Sequence, residues 1–165
     1  MKFRGSAVMF GDNINTGIVL SAKYMSKQGD PKSLIPHMFE TIDPEIHRRL
    51  PGSILVAGNN FGAGSTREIV PVLLREAGVQ AVVARSFSRG FYRNATNLGM
   101  PLAEAEVTGT AEGDLLEIDL DTGAVRNLTR GTETRAVPLP EIMQRILAEG
   151  GLVPFFKKYK SLTQS

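Results

Sequence analysis

Two short runs without polar interruption constrain this chain most: Ser53-Ile54-Leu55-Val56-Ala57 and Ala81-Val82-Val83-Ala84. An alternating strand buries one face, whereas a continuous apolar run is expected where both faces are covered. Between them, Ile69, Leu73 and Leu74 recur at helical spacing with Val70 and Ala77 beside them. The spacing predicts a helix over Ser65 to Ala77, with Gly78 as its stop. Strand, helix and second buried strand imply a parallel pair joined by a right-handed crossover. Ser86 then opens another helix, which Gly99 ends.

The flanks complete a mixed α/β chain. Alternating apolar residues over Lys2 to Phe10 predict a first strand. Gly11 to Gly17 reads as a loop rich in side chains that bond their own backbone. Ile18 to Leu20 is expected as a short strand, followed by a polar loop over Ser21 to Pro31. Lys32 to Glu40 and Pro44 to Arg49 suggest two short helices, the second with Asp43-Pro44 as cap and first-turn proline. Leu115 to Leu120 and Ala124 to Leu128, around Asp121-Thr122-Gly123, form an expected hairpin. Pro140 to Glu149 is amphipathic, and Gly150-Gly151 separates it from a basic tail helix at Leu152 to Tyr159. The 165 residues suit one domain spanning 1–165, tail helix included.

Composition removes several function classes. The sequence has no cysteine, so no disulfide, thiolate metal site or cysteine nucleophile can come from it. Its two histidines, His37 and His47, lack metal-ligand spacing. A net charge of +2, without a basic stripe interleaved with aromatics, gives no footprint for nucleic acid. No apolar run approaches the roughly 18 residues needed to cross a bilayer, and the start lacks the pattern of a secretory signal. A cytoplasmic protein is expected.

The most informative segment is Asn59-Asn60-Phe61-Gly62-Ala63-Gly64-Ser65-Thr66-Arg67-Glu68, which follows a buried strand and precedes a helix. Ser65 and Glu68 stand at capping-box spacing, so one reading is a glycine turn with a capped helix and a solvated arginine. The other starts from Arg67. A cation in the first helical turn is unfavourable unless an anion sits in front of it. Backbone amides, the hydroxyls of Ser65 and Thr66 and the guanidinium fork would hold that anion, with Gly62 and Gly64 allowing close approach. The spacing fits neither a Walker loop nor a dinucleotide fingerprint, so carboxylate and phosphate stay equally open. A second cluster, Arg85 to Asn94, sets Arg89 and Arg93 on one helical face and Phe87 and Phe91 on another. It reads either as a buried aromatic stripe with a solvated basic face, or as a basic face meeting an acidic partner surface or backbone carbonyls.

At these segments the chain resembles the small subunits of 3-isopropylmalate dehydratase and homoaconitase, equivalent to the swivelling domain of aconitase. The resemblance runs from Phe10-Gly11-Asp12-Asn13-Ile14-Asn15-Thr16 through Asn60 to Glu68 and Ser86 to Ala95, and on to Gly150-Gly151-Leu152. It implies a three-layer β/β/α swivel fold, a mixed sheet with flanking helices. It also implies loss and re-addition of water on a hydroxy dicarboxylate, with a 4Fe-4S cluster in a large partner subunit and no cofactor in this chain. Further oligomerisation of that pair is possible within the family. Carried over, Ser65 matches the catalytic serine base, while Thr66, Arg67 and Gly64 match substrate-binding positions. Tyr24, Met25, Ser26 and Lys27 fall where the family's substrate-specificity loop lies. Two positions depart: Gly17 stands where the family usually has an aspartate that orients a histidine of the large subunit, and Ser21 replaces a usual proline. The resemblance thus implies an isopropylmalate or homoaconitase-like dehydratase, or a regulatory subunit that kept the fold without turnover.

Overall fold

The computed structural model describes residues 1–26, 29–64 and 67–160. Its strands are β1 (Lys2–Met9), β2 (Ser53–Ala57), β3 (Ala81–Ala84), β4 (Leu102–Glu104), β5 (Leu115–Asp119), β6 (Ala124–Asn127) and β7 (Thr132–Arg135). They form a mixed sheet ordered β4-β3-β2-β1-β5-β6-β7, parallel from β4 to β1 and antiparallel from β1 to β7. The seam is β1, with Val8 in register with Leu55 on one side and Gly5 with Leu116 on the other. A side chain on Gly5 would sit 2.3 Å from the Gly52 carbonyl oxygen, so only glycine fits there.

The apolar runs behave as their composition requires. Leu55, Ala57, Val82, Ala84 and Leu102 point to a core shared with Val70, Leu73 and Leu74 of α2 (Ile69–Glu76) and Phe91 and Ala95 of α3 (Arg89–Asn97). Their neighbours Ile54, Val56, Ala81, Val83 and Ala103 point the other way, against Leu116, Ile118, Leu120 and Val125. The sheet therefore curls until its antiparallel half covers the back of its parallel half, giving the β/β/α layering. A short α1 (Thr16–Val19) precedes β2, and α4 (Glu141–Ala148) and α5 (Leu152–Tyr159) close the described chain. A Cβ on Gly151 would lie 2.7 Å from the Asn97 carbonyl oxygen, so this glycine lets α5 dock against the end of α3.

Several local expectations need correction. Ile18 to Leu20 is not a strand. Asn15 accepts a capping bond from the Ile18 amide at 2.9 Å, and Leu20 N–H bonds the Thr16 carbonyl, closing α1. The two short helices are 3-10 turns, Pro31–His37 and Ile46–Arg49. Pro36 explains the first: its ring would clash with the Lys32 carbonyl in an α-helix. The crossover helix, α2, starts at Ile69 rather than Ser65, and α3 starts at Arg89 with Ser88 as its cap. Strands β4 and β7 were not expected, whereas α5 has the predicted bounds.

Candidate functional site

Loops at the carboxyl ends of β1, β2 and β3 meet at one edge of the parallel sheet, where open α/β sheets bind ligands. Asp12 Oδ1 accepts from the Asn59 amide at 2.6 Å, and a Cβ on Gly58 would sit 1.9 Å from that oxygen. Asn13 and Asn60 both adopt left-handed backbone, which asparagine tolerates, and Asn60 Nδ2 donates to Asn13 Oδ1 at 3.2 Å. The Gly62 amide bonds the Ile14 carbonyl at 2.8 Å, and the Thr16 amide bonds that of Ala63 at 2.9 Å.

The third loop holds the same turn from behind. Ser86 Oγ accepts from the Asn60 amide at 2.8 Å, and Ser88 Oγ donates to the Gly62 carbonyl at 2.8 Å. Phe61 bridges to Phe87 and meets Phe91 edge-on at 5.3 Å. Buried Phe87 and Phe91 thus clamp the turn, while Arg89 and Arg93 stay exposed with no hydrogen bond or ion pair among the described residues. The turn carries exposed Gly64, with φ of 98°, at its tip.

Ser65 and Thr66 lie outside the described residues, as does Lys27. Arg67 is half-buried and precedes the helix instead of occupying its first turn. Glu68 is the N-cap of α2 and makes no side-chain capping bond, so Glu68 does not play the partner role that the capping-box reading gave it. The Arg67 Nη1 nitrogen is buried and has no hydrogen-bond partner among the described residues. Such an orphan costs on the order of 1–3 kcal/mol, and more when charged. A carboxylate ligand would supply the missing acceptor.

The polar side chains that precede Gly17 in the same loop are engaged within the loops. Asp12 holds Asn59, Asn13 holds Asn60, and Asn15 caps α1. Gly17 itself is exposed on α1. An open cleft of about 410 Å³ runs beside the loops, lined by Phe10, Asp12, Gly58, Arg85 and Glu106 among others. Arg67 does not line it, and Arg85 there is paired with Glu106 at 2.9 Å.

Of the residues expected in a substrate-specificity loop, Tyr24 is buried, Met25 packs partly against the core and Ser26 is exposed. The Tyr24 hydroxyl donates to Glu40 Oε1 at 2.7 Å, and its ring stacks on His37 at 4.2 Å. That hydrogen bond, helped by His37 and Lys23, holds the Glu40 carboxyl below the usual range. The same bond, with burial, pushes the Tyr24 phenol up. Sequence reasoning missed Glu40, which has no motif to announce it. It also missed Ser88, although a serine three residues before Phe91 carried a capping signal.

Strand-end loops stitched together on a curled mixed sheet define the class of protein. Residues 11–106 match the aconitase C-terminal domain, and the chain belongs to that family. More particularly, it is 46% identical over 160 residues to the 3-isopropylmalate dehydratase small subunit of Caldicellulosiruptor bescii, covering 95% of this chain and 96% of that one. It is equally 46% identical over 160 residues to the 3-isopropylmalate dehydratase small subunit 2 of Archaeoglobus fulgidus, covering 96% and 97%. A crystal structure of 3-isopropylmalate dehydratase from Methanocaldococcus jannaschii matches with a TM-score of 0.90 at 35% identity, over 97% of this chain and 96% of that one.

Proposed function

We propose that this chain is the small subunit of a heteromeric hydro-lyase, 3-isopropylmalate dehydratase, and that the Gly62 to Arg67 segment supplies its share of the substrate site. The near-full-length likeness to proteins of that name supports the assignment. The observation that carries the site is Arg67, whose buried Nη1 lacks an acceptor among the described residues. Burying a guanidinium nitrogen unpaired is unfavourable in the free chain and becomes favourable when a carboxylate arrives.

In this reading Arg67 clamps one substrate carboxylate, and Gly64 lets the backbone approach it with Thr66 beside. Ser65 removes the proton next to a carboxylate, its hydroxyl deprotonated with the help of the guanidinium charge. As that proton leaves, negative charge grows on the clamped carboxylate, where the arginine stabilises it. A 4Fe-4S cluster on the large subunit would supply the Lewis acid for the leaving hydroxyl; this chain has no cysteine to ligate it. The enzyme would act in leucine biosynthesis in the cytoplasm. No helix among the described residues is long and apolar enough to cross a membrane.

The test is reconstitution with the cognate large subunit. Arg67→Ala is expected to lower kcat/KM for isopropylmalate by about 100-fold to 1000-fold. Arg67→Lys is expected to recover little, because lysine lacks the planar fork. Equal rates for Arg67→Ala and the unaltered protein would overturn the clamp.

A further inference from the structure

In the described part of the specificity loop, the Tyr24 hydroxyl is tied to one carboxylate. Glu40 Oε1 accepts from the Tyr24 hydroxyl at 2.7 Å and lies 3.6 Å from Lys23 Nζ, while Oε2 meets His37 Nδ1 at 3.2 Å. The His37 ring stacks on Tyr24 at 4.2 Å, and Lys23 sits 5.0 Å over the same ring. Tyr24 ends the 3-10 turn Ala22–Tyr24, so Met25 and Ser26 extend directly from the anchored residue.

Glu40 is itself held from the other side. Phe39 has a φ of 55°, a left-handed conformation that a bulky side chain avoids. It is fully buried, with its ring 4.5 Å from that of Phe10, and its amide bonds the Val19 carbonyl at 2.9 Å. Val19 belongs to α1, whose first amide, Thr16, bonds Ala63 in the turn that leads to Arg67. A strained residue that its surroundings over-determine is a pointer to function. Here the strain aims Glu40 under the loop, and a continuous line of bonds joins the Ala63 turn through α1 and Phe39 to Tyr24.

We infer that Glu40 is a positioning residue. Through Tyr24 it fixes where Met25 and Ser26 stand relative to Arg67, and so which substrate side group is accepted. This rests on the dehydratase reading given above. A carboxylate clamp would hold one end of the substrate while the loop, at a distance set by Glu40, meets the other. Moving that loop changes the fit of the side group more than the chemistry at the clamped carboxylate.

The experiment uses the reconstituted two-subunit enzyme and compares isopropylmalate with malates bearing a shorter alkyl or a carboxyalkyl group. Glu40→Ala and Tyr24→Phe are expected to raise KM for the preferred substrate about tenfold with kcat little changed, narrowing its lead over the others. Glu40→Gln is expected to restore the lead, because its amide oxygen still accepts from Tyr24 and its nitrogen can donate to His37. An unaltered enzyme inactive on every malate overturns the functional reading, and the positioning role with it. An active enzyme whose discrimination is unchanged in Tyr24→Phe overturns the positioning role alone, as does an equal fall in kcat for all substrates. Should Glu40→Ala fail to fold, Tyr24→Phe, which removes one oxygen, decides the matter.

Discussion

The antiparallel half of the sheet and the strand-end loops treat charge in opposite ways. On the antiparallel side, buried carboxylates are enclosed by donors. Asp114 Oδ2 accepts from the Ala111 amide and Asn127 Nδ2, both at 2.9 Å, and from Arg130 Nε at 2.6 Å. Glu117 accepts from Arg4 at 2.6 Å and Arg126 at 3.0 Å, and Arg126 also reaches Glu133 at 2.9 Å. Among the described residues of the loop side, Arg67 keeps a buried nitrogen without a partner and Arg89 and Arg93 have none. The sequence thus satisfies these two buried carboxylates where charge supports the fold. The buried Arg67 nitrogen, without a partner among the described residues, is the exception on the loop side.

That contrast has a sharp consequence for Arg67. The expected fall of about 100-fold to 1000-fold in activity for Arg67→Ala should come without loss of thermal stability, since the change removes an unsatisfied buried group. A parallel fall in Tm would make Arg67 an ordinary structural residue and blur the distinction between the halves.

Next in size is the turn that carries the proposed site. Gly62 has a φ of 83°, and a Cβ there would lie 2.2 Å from Phe91 Cγ. Gly62→Ala combines backbone strain with overpacking and is expected to cost about 2–4 kcal/mol, read from the denaturant midpoint. A neutral result would mean that the Phe61–Phe91 clamp is loose and the loops are not preorganised.

The antiparallel network should show the reverse of Arg67. The Ala111 amide, with Arg130 and Asn127, holds the Asp114 carboxyl at about 2, well below the usual carboxylate range. A depressed folded-state pKa contributes stability above the unfolded value, and that contribution is lost as pH falls through the folded one. The protein should therefore lose this contribution between about pH 4 and about pH 2. Asp114→Ala is expected to lower Tm at neutral pH, to flatten the acid side of the stability curve and to leave turnover untouched. A variant with the full acid dependence of the unaltered protein would show that other groups carry it.

How much of this was legible depends on which force sets each element. Burial on both faces is written plainly into Ser53–Ala57 and Ala81–Ala84, and turn chemistry into Asp121-Thr122-Gly123, so the crossover and hairpin could be read directly. Ser65 has the residue type and spacing of a helix cap, yet the helix starts at Ile69. Pro71 held the better signal: a helix from Ser65 would put its ring against the Arg67 carbonyl, whereas from Ile69 it lies in the first turn. Ile18 to Leu20 failed because a side-chain cap at Asn15 overrode β-branched propensity. Strand β7, Thr132–Arg135, lacks an apolar face and exists because β6 offers it a ladder. Arg67 was picked out for its charge near a helix start; its orphaned nitrogen is a tertiary fact that no spacing encodes.

The smallest expected effect concerns a negative charge missing from the loop side. Family resemblance puts an aspartate at the position of Gly17, orienting a histidine of the large subunit. Asp12, Asn13 and Asn15 each have an oxygen committed to holding the loops. Gly17 is exposed on α1, and among the described residues a Cβ there would meet only Asn15 Oδ1, at 3.2 Å. Gly17→Asp should therefore fold, with stability changed by under about 0.5 kcal/mol. If the imidazole now lacks an orienting carboxylate, the substitution should raise kcat by up to about tenfold and move the pH profile of kcat/KM. An unchanged rate and profile would mean that the charge is already supplied from elsewhere. The loop side would then be short of nothing but its substrate.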